Sequence, residues 1–254
     1  MANVITITSG KGGVGKTFFS INFSRYLSIL EFKTLLIDYN LSTPNISINL
    51  RIRDNNKNIH KFLRGEIGIR DCIHNFRENL DIIPGSLRIE DIVYTDISKI
   101  YYGIQELYND YDYIIIDSAA GIGREALEAI KYADEIFIVT NPKKSALLDA
   151  YRVIKVSEKL NIKILGVILN RFREDKKIPL HKLEMFLTKP IYGIIHEDKY
   201  VEESMEIGVP LVDLYPDSIA AKDIEKIVLK FTGKNIEGEK KGLLDKIFSI
   251  FRWR

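Results

Sequence analysis

The sequence predicts a doubly wound α/β fold: a mostly parallel sheet flanked by helices. Three observations point there. Short apolar runs, rich in Ile and Val and continuous rather than alternating, recur at residues 4–8, 34–37, 80–83, 113–116, 135–139 and 163–169, with 191–194 as a further candidate. Strands buried on both faces of a parallel sheet read this way. Segments with helical spacing separate them, at 18–30, 99–108, 124–132, 145–160, 180–187, 201–207 and 217–231. Strand–helix alternation implies a parallel sheet wrapped by helices. The third observation is a glycine-rich stretch, residues 9–17, set between the first strand and the first helix. Ligands of such folds sit at the carboxyl ends of the strands.

The elements follow in order. Val4-Ile5-Thr6-Ile7-Thr8 is a buried strand that ends at the glycine run, and the helix at 18–30 starts where the glycines stop. Leu35-Leu36-Ile37 and Ile114-Ile115-Ile116 are apolar strands that each end in a carboxylate, Asp38 and Asp117. The runs at 80–83, 135–139 and 163–169 complete the predicted interior of the sheet. Gly233 is placed to end the last helix of the domain. The 254 residues suit one α/β domain at 1–233, followed by a polar, charged linker at 234–241 and a separate C-terminal segment at 242–254.

Ser9-Gly10-Lys11-Gly12-Gly13-Val14-Gly15-Lys16-Thr17 fits Gly-x-x-x-x-Gly-Lys-Ser/Thr between a strand and a helix. Glycines at 10, 12, 13 and 15 let the backbone take conformations closed to other residues and come close to a ligand. The N–H groups of the loop then converge on phosphate oxygens, aided by the positive end of the following helix. Lys16 is expected to reach the β- and γ-phosphates and the Thr17 hydroxyl to hold Mg²⁺. Asp38 and Asp117, at the ends of strands beside the first, supply the oxygen ligands Mg²⁺ prefers. Either carboxylate has a second use open to it, as the cap of a following helix.

With Lys11 added, Lys-Gly-Gly-x-Gly-Lys-Thr resembles the deviant Walker A signature of the MinD/ParA family. The resemblance implies an ATPase that dimerises on ATP, with Lys11 reaching across the two-fold interface to the partner's phosphates. It also implies the nucleotide contacts Gly10 to Phe18, with Lys11, Lys16, Asp38 and position 40 catalytic, and Thr17, Asp38 and Asp117 around the metal. Later segments extend the match. Asp117-Ser118-Ala119-Ala120-Gly121 is similar to the stretch that senses the γ-phosphate in that family. The runs from Ala133 to Pro142 and from Gly208 to Val212 fit as well. Asn170-Arg171 resembles the family's adenine-reading pair, and Glu197-Asp198 lies in a stretch found near the base, with His196 replacing Pro. Many relatives carry a second Asp that orients the attacking water where this chain has Asn40. An amide accepts a hydrogen bond but is no base at neutral pH. The expectation is slow or partner-stimulated hydrolysis, because positioning and charge carry much of phosphoryl transfer. Leu41 to Asn45 is expected to form a switch loop.

Composition narrows the alternatives. Lys and Arg exceed Asp and Glu by only 2, so nothing overall suggests nucleic-acid binding. The single Cys72 rules out a disulfide framework and a Cys-x-x-Cys metal or iron–sulfur site within one chain, and reads as a small buried residue. His60, His74, His181 and His196 show no metal-ligand spacing. Tyr101 and Tyr102 read as core or helix-face residues. The start carries no charged leader, and no apolar run nears the ~20 residues of a spanning helix. A cytoplasmic protein is expected.

The last residues form an amphipathic pattern. Leu243, Leu244, Ile247, Phe248, Ile250 and Phe251 share one helical face, with Trp253 just off it near the end, and the opposite face is basic. A short basic helix with aromatics suits an anionic membrane surface, and MinD-type proteins end in a similar tail. The expected function is therefore an ATP-driven, dimerising switch, peripheral on the inner face of the membrane. It would position a division site, flagellum, pilus or array together with an activator or cargo protein. The alternatives are a partitioning ATPase that binds nucleoid DNA, a metallochaperone disfavoured by the lone cysteine, and a scaffold without turnover.

Overall fold

The computed structural model describes residues 1–53, 56–92, 95–174 and 179–234. Its strands are β1 (Asn3–Ser9), β2 (Thr34–Tyr39), β3 (His74–Arg77), β4 (Leu80–Ile83), β5 (Tyr113–Ala120), β6 (Glu135–Thr140), β7 (Lys163–Phe172) and β8 (Ile191–His196). They form one sheet in the order β3-β4-β2-β5-β1-β6-β7-β8. All pairs are parallel except β3 with β4. The expected strands are present, including the one at 191–194. The sequence reading missed β3, because His-Asn-Phe-Arg has no apolar run: it is an edge strand with alternating, half-exposed residues.

The helices are α1 (Lys16–Ile29), α2 (Ile46–Asn49), α3 (Ile59–Leu63), α4 (Ile89–Ile92), α5 (Ile100–Leu107), α6 (Arg124–Lys131), α7 (Lys144–Lys159), α8 (Leu180–Leu187), α9 (Tyr200–Ile207), α10 (Leu211–Leu214) and α11 (Ile219–Thr232). Four of them, α2, α3, α4 and α10, had no sequence signal. A single turn is too short to show a helical period. Gly233 ends α11 in the left-handed region, φ 69°, as its position suggested.

Helix α1 is packed so deeply that every residue except Thr17 is buried. Phe19 and Phe23 pack edge-on against Phe137 of β6, and Phe23 meets the tilted ring of Phe231 of α11. The polar residues of α1 therefore need partners inside the fold. Arg25 Nε donates to Asp213 Oδ1 at 2.7 Å, and Asn22 Oδ1 accepts from the Val212 N–H. On the opposite face of the sheet α3 and α5 cover β2 and β5, with Cys72 buried among them as expected. Tyr101 and Tyr102 lie on an exposed face of α5, Tyr102 being the more exposed.

This packing fixes the site. β1 stands between β5 and β6, and β5 lies between β1 and β2. Asp38 and Asp117 are register partners at the carboxyl ends of β2 and β5, and Ile7 of β1 pairs with Asp117. The glycine loop leaves the sheet beside both carboxylates.

Candidate active site

Residues 10–15 link β1 to α1. Gly13 and Gly15 have φ of 76° and 91°, the left-handed region where glycine is favoured. Gly10 is needed for another reason: a Cβ there would sit 2.1 Å from the Asp149 carbonyl carbon of α7, so the loop lies directly on that helix backbone. Around Gly12 and Gly13 a Cβ would meet nothing within 4 Å. These two glycines line the wall of a cavity of about 700 Å³, where a ligand can approach the backbone.

Beneath the loop lies a buried charged cluster. Lys16 Nζ is 2.7 Å from Asp117 Oδ1, with Lys16 7 % and Asp117 0 % exposed. Thr17 Oγ1 donates to Asp117 Oδ2 at 2.7 Å, and Ser20 Oγ lies 2.8 Å from Asp117 Oδ1. The lysine and the hydroxyl expected to serve phosphate and metal are thus both held by one carboxylate.

Asp38 is equally buried, and among the described residues no cation is bonded to it. Its Oδ2 accepts the Asn45 and Ile46 N–H groups, each at 2.9 Å, and its Oδ1 lies 3.3 Å from the Asn40 N–H. Burial, and after it the neighbouring Asp117 carboxylate, push the Asp38 carboxyl up to about 7, although the backbone donors favour the anion. Asp38 also anchors the start of α2, which fixes the loop at residues 40–45. In that loop Asn40 Nδ2 donates to the Thr43 carbonyl at 2.6 Å, and Asn40 Oδ1 accepts from Thr43 Oγ1. The Asn40 amide closes its own turn.

Behind the loop His60 is fully buried. Its Nδ1 accepts the Ser86 N–H, which leaves Nε2 to donate to the Leu41 carbonyl, and burial lowers its pKa. Among the described residues no group of three or more His, Cys, Asp or Glu holds a metal by itself. Thr17, Asp38 and Asp117 instead make the sparse oxygen set that suits Mg²⁺ shared with a nucleotide's phosphates and water.

A family model described as an AAA domain matches residues 2–165. An uncharacterized ATP-binding protein of Methanocaldococcus jannaschii is 32 % identical over 99 % of this chain and 96 % of its own length. The septum site-determining protein MinD of Pyrococcus horikoshii, solved in complex with Mg-ADP, superposes with a TM-score of 0.85 at 34 % identity, covering 94 % of this chain and 99 % of that one. The MinC:MinD cell division protein complex of Aquifex aeolicus matches with a TM-score of 0.82 at 30 % identity, over 92 % of this chain and 98 % of that one. The chain belongs to the MinD/ParA family of P-loop ATPases.

The remaining residues singled out on the MinD/ParA pattern separate into those at the cavity and those that brace it. Lys11 is exposed at the cavity, its Nζ 3.5 Å from Ser145 Oγ of α7. Thr17 and Phe18 line the cavity too, although the Phe18 ring is buried in the core, as is the side chain of Val14. Arg171 lines the cavity from the end of β7 with φ 54°. Asn170 is buried beside the glycine loop. Its Nδ2 donates to the Val14 carbonyl at 2.8 Å and its Oδ1 accepts the Arg171 N–H, so it ties β7 to the phosphate loop. Glu197 and Asp198 lie off the cavity. Asp198 accepts the Tyr200 and Ala220 N–H groups and so secures the starts of α9 and α11, and Glu197 is 3.5 Å from Arg173.

The sequence reading missed Arg124, Glu125 and Met205, which also line the cavity. Arg124 and Glu125 carried a usable signal: two charged residues directly after Gly121-Ile122-Gly123, at the start of the helix that follows the Asp117 strand. Met205 carried none. The linker from 235 onward and the segment at 242–254, including Leu243, Leu244, Ile247, Phe248, Ile250, Phe251 and Trp253, lie outside the described residues. No helix among the described residues is long and apolar enough to cross a membrane.

Proposed function

We propose that this ATPase is a MinD-like switch: two copies close around ATP, the dimer holds an anionic membrane surface through residues 242–254, and hydrolysis releases it. Used with a protein partner, as in the Aquifex aeolicus MinC:MinD complex, it would position a cell-division or similar machine. The observation that carries this reading is the division of labour between two lysines. Lys16 is 7 % exposed and held by Asp117, whereas Lys11 stands exposed at the cavity, its one hydrogen-bond partner among the described residues being Ser145 at 3.5 Å. A lysine placed so is available to a ligand shared with a second subunit.

Within one subunit the residues divide the work. The N–H groups of 12–17 cradle phosphate oxygens, and Lys16, drawn from Asp117, neutralises the β- and γ-phosphates. Thr17, Asp117 and Asp38 would hold Mg²⁺, which when bound spreads the charge that develops on the phosphates. Asn170 and Arg171 sit at the end of β7, where the family's base contacts lie; Arg171 is the exposed member and Asn170 keeps one amide hydrogen beyond its bond to Val14. One amphipathic tail binds a membrane marginally, and two on one dimer bind far better through effective concentration.

Co-sedimentation with vesicles containing anionic lipid tests this. Binding should rise with ATP over ADP, and vanish on deletion of residues 244–254 or in Lys11→Ala. Equal binding with ADP and ATP rejects the switch. ATP-dependent, salt-sensitive binding to DNA in place of vesicles favours the partitioning alternative.

A further inference from the structure

We propose that Glu125 is a catalytic residue for ATP hydrolysis, the carboxylate that orients and deprotonates the attacking water in place of the aspartate missing at position 40. The inference rests on the ATPase activity alone and is independent of the membrane reading.

Three observations on separate elements lead to it. The first is that the other acidic groups at the site are unavailable. Asp117 is fully buried with Lys16, Thr17 and Ser20 on its two oxygens. Asp38 is fully buried under three backbone N–H groups. Asn40 has no basic atom, and its amide is engaged with Thr43.

The second is the composition of the cavity wall. Among the described residues Lys11, Lys16, Arg124 and Arg171 line it, and Glu125 is the one carboxylate that does so. A cavity that receives a polyanion gains from each of those cations, and a carboxylate there weakens the attraction. Its presence calls for a task.

The third is where Glu125 points. It stands in the first turn of α6, directly after the β5 segment whose family counterpart senses the γ-phosphate. It reaches across to the loop that carries Asn40: Oε1 accepts from Ser42 Oγ at 2.5 Å, and Oε2 lies 3.3 Å from the Ser42 N–H. It is therefore tied to the segment from which relatives present the water-orienting aspartate. Among the described residues Oε2 is held by that long contact alone and has lone pairs left for a water.

The water oxygen bonds to the γ-phosphorus as the bond from phosphorus to the β–γ bridging oxygen breaks, and ADP leaves with that electron pair. The water proton passes to Glu125 and from there to the phosphate released. General base catalysis of this kind contributes on the order of 10²–10⁴-fold.

A purely structural latch between Glu125 and Ser42 is the competing account, and four variants separate the two. Glu125→Gln keeps an acceptor for Ser42 but removes the base. Ser42→Ala removes the latch but keeps the base. Single-turnover hydrolysis, followed for hours so that slow rates register, should fall at least tenfold in Glu125→Gln and less than threefold in Ser42→Ala. Affinity for a fluorescent ADP analogue should change less than threefold in either, which separates loss of chemistry from loss of the nucleotide site. Nucleotide extracted from purified Glu125→Gln should be enriched in ATP over ADP relative to wild type. Asn40→Asp added to Glu125→Gln should restore turnover at least fivefold, whereas Asn40→Ala added to it should not. Hydrolysis by Glu125→Gln within twofold of wild type, an equal loss in Ser42→Ala, or the absence of rescue by Asn40→Asp overturns the proposal.

Discussion

Asp38 makes the stability of the nucleotide-free protein depend on pH in a direction opposite to that of a salt-bridged carboxylate. Its carboxyl is pushed from 3.8 up to about 7 by burial and by Asp117. The folded chain then holds a proton that the unfolded chain has released across that interval. Stability from this group is complete below the unfolded value and is lost as the pH climbs through the folded one. Between pH 5 and 8 the window spans about two pKa units, so at ~1.4 kcal/mol per unit the loss is about 2–3 kcal/mol. For a domain of this size that is roughly 5–10 °C in melting temperature.

The assay is thermal denaturation in EDTA at pH 5 and pH 8 of wild type and Asp38→Asn. The variant retains the shape but does not titrate, so the difference between the two pH dependences isolates Asp38 from every other carboxylate and histidine. Wild type should lose about 2–3 kcal/mol more than the variant over that interval. Mg-ADP should reverse the trend, since a cation at this carboxylate favours the anion, and nucleotide affinity should rise from pH 6 to pH 8. Identical pH dependences in the two proteins would refute the reasoning that burial without a dedicated cation governs Asp38.

Two further predictions concern the frame of the site. Gly10→Ala places a methyl 2.1 Å from the α7 backbone and should destabilise by at least about 1–3 kcal/mol with loss of nucleotide binding, whereas Gly12→Ala, into open space, should leave thermal stability within about 0.5 kcal/mol. Asp213→Ala should cost about 3–5 kcal/mol in denaturant titration by leaving Arg25 buried and unpaired, and the pair Asp213→Leu with Arg25→Met should recover most of it.

The nucleotide end of the fold was legible in the sequence because its chemistry is local. Residues 9–17 place strand, glycines, lysine and hydroxyl within one turn, and two apolar strands each end in an aspartate that the sheet brings into register. What stayed hidden depends on contacts distant in sequence. Arg124 and Glu125 stand out as a charged pair after Gly123, but the partner of Glu125 emerges only when β5 and the 40–45 loop are folded together and it is bonded to Ser42. Asn170 and Asp198 were read from family position as base contacts. The fold gives Asn170 a tie to the Val14 carbonyl and gives Asp198 the starts of two helices, because an amide or carboxylate wholly or partly shielded from water takes the nearest backbone partners. Strand β3 escaped notice since an edge strand needs only one covered face, and Phe76 is its single half-buried apolar residue. The deep burial of α1 was likewise invisible: Arg25 and Asn22 find their partners in Asp213 and Val212, far along the chain, and Ser24 and Ser28 in the helix's own carbonyls.

The bond between Lys16 and Asp117 also sets which small molecules the resting cleft admits. An incoming anion draws the ammonium off its aspartate, and leaves that buried carboxylate with the Thr17 and Ser20 hydroxyls but no cation. Free orthophosphate or pyrophosphate arriving alone leaves that deficit unmended. A divalent cation delivered with the nucleotide mends it at once. The expected consequence is that nucleotide and divalent cation enter together and that free phosphate alone competes weakly for the cleft.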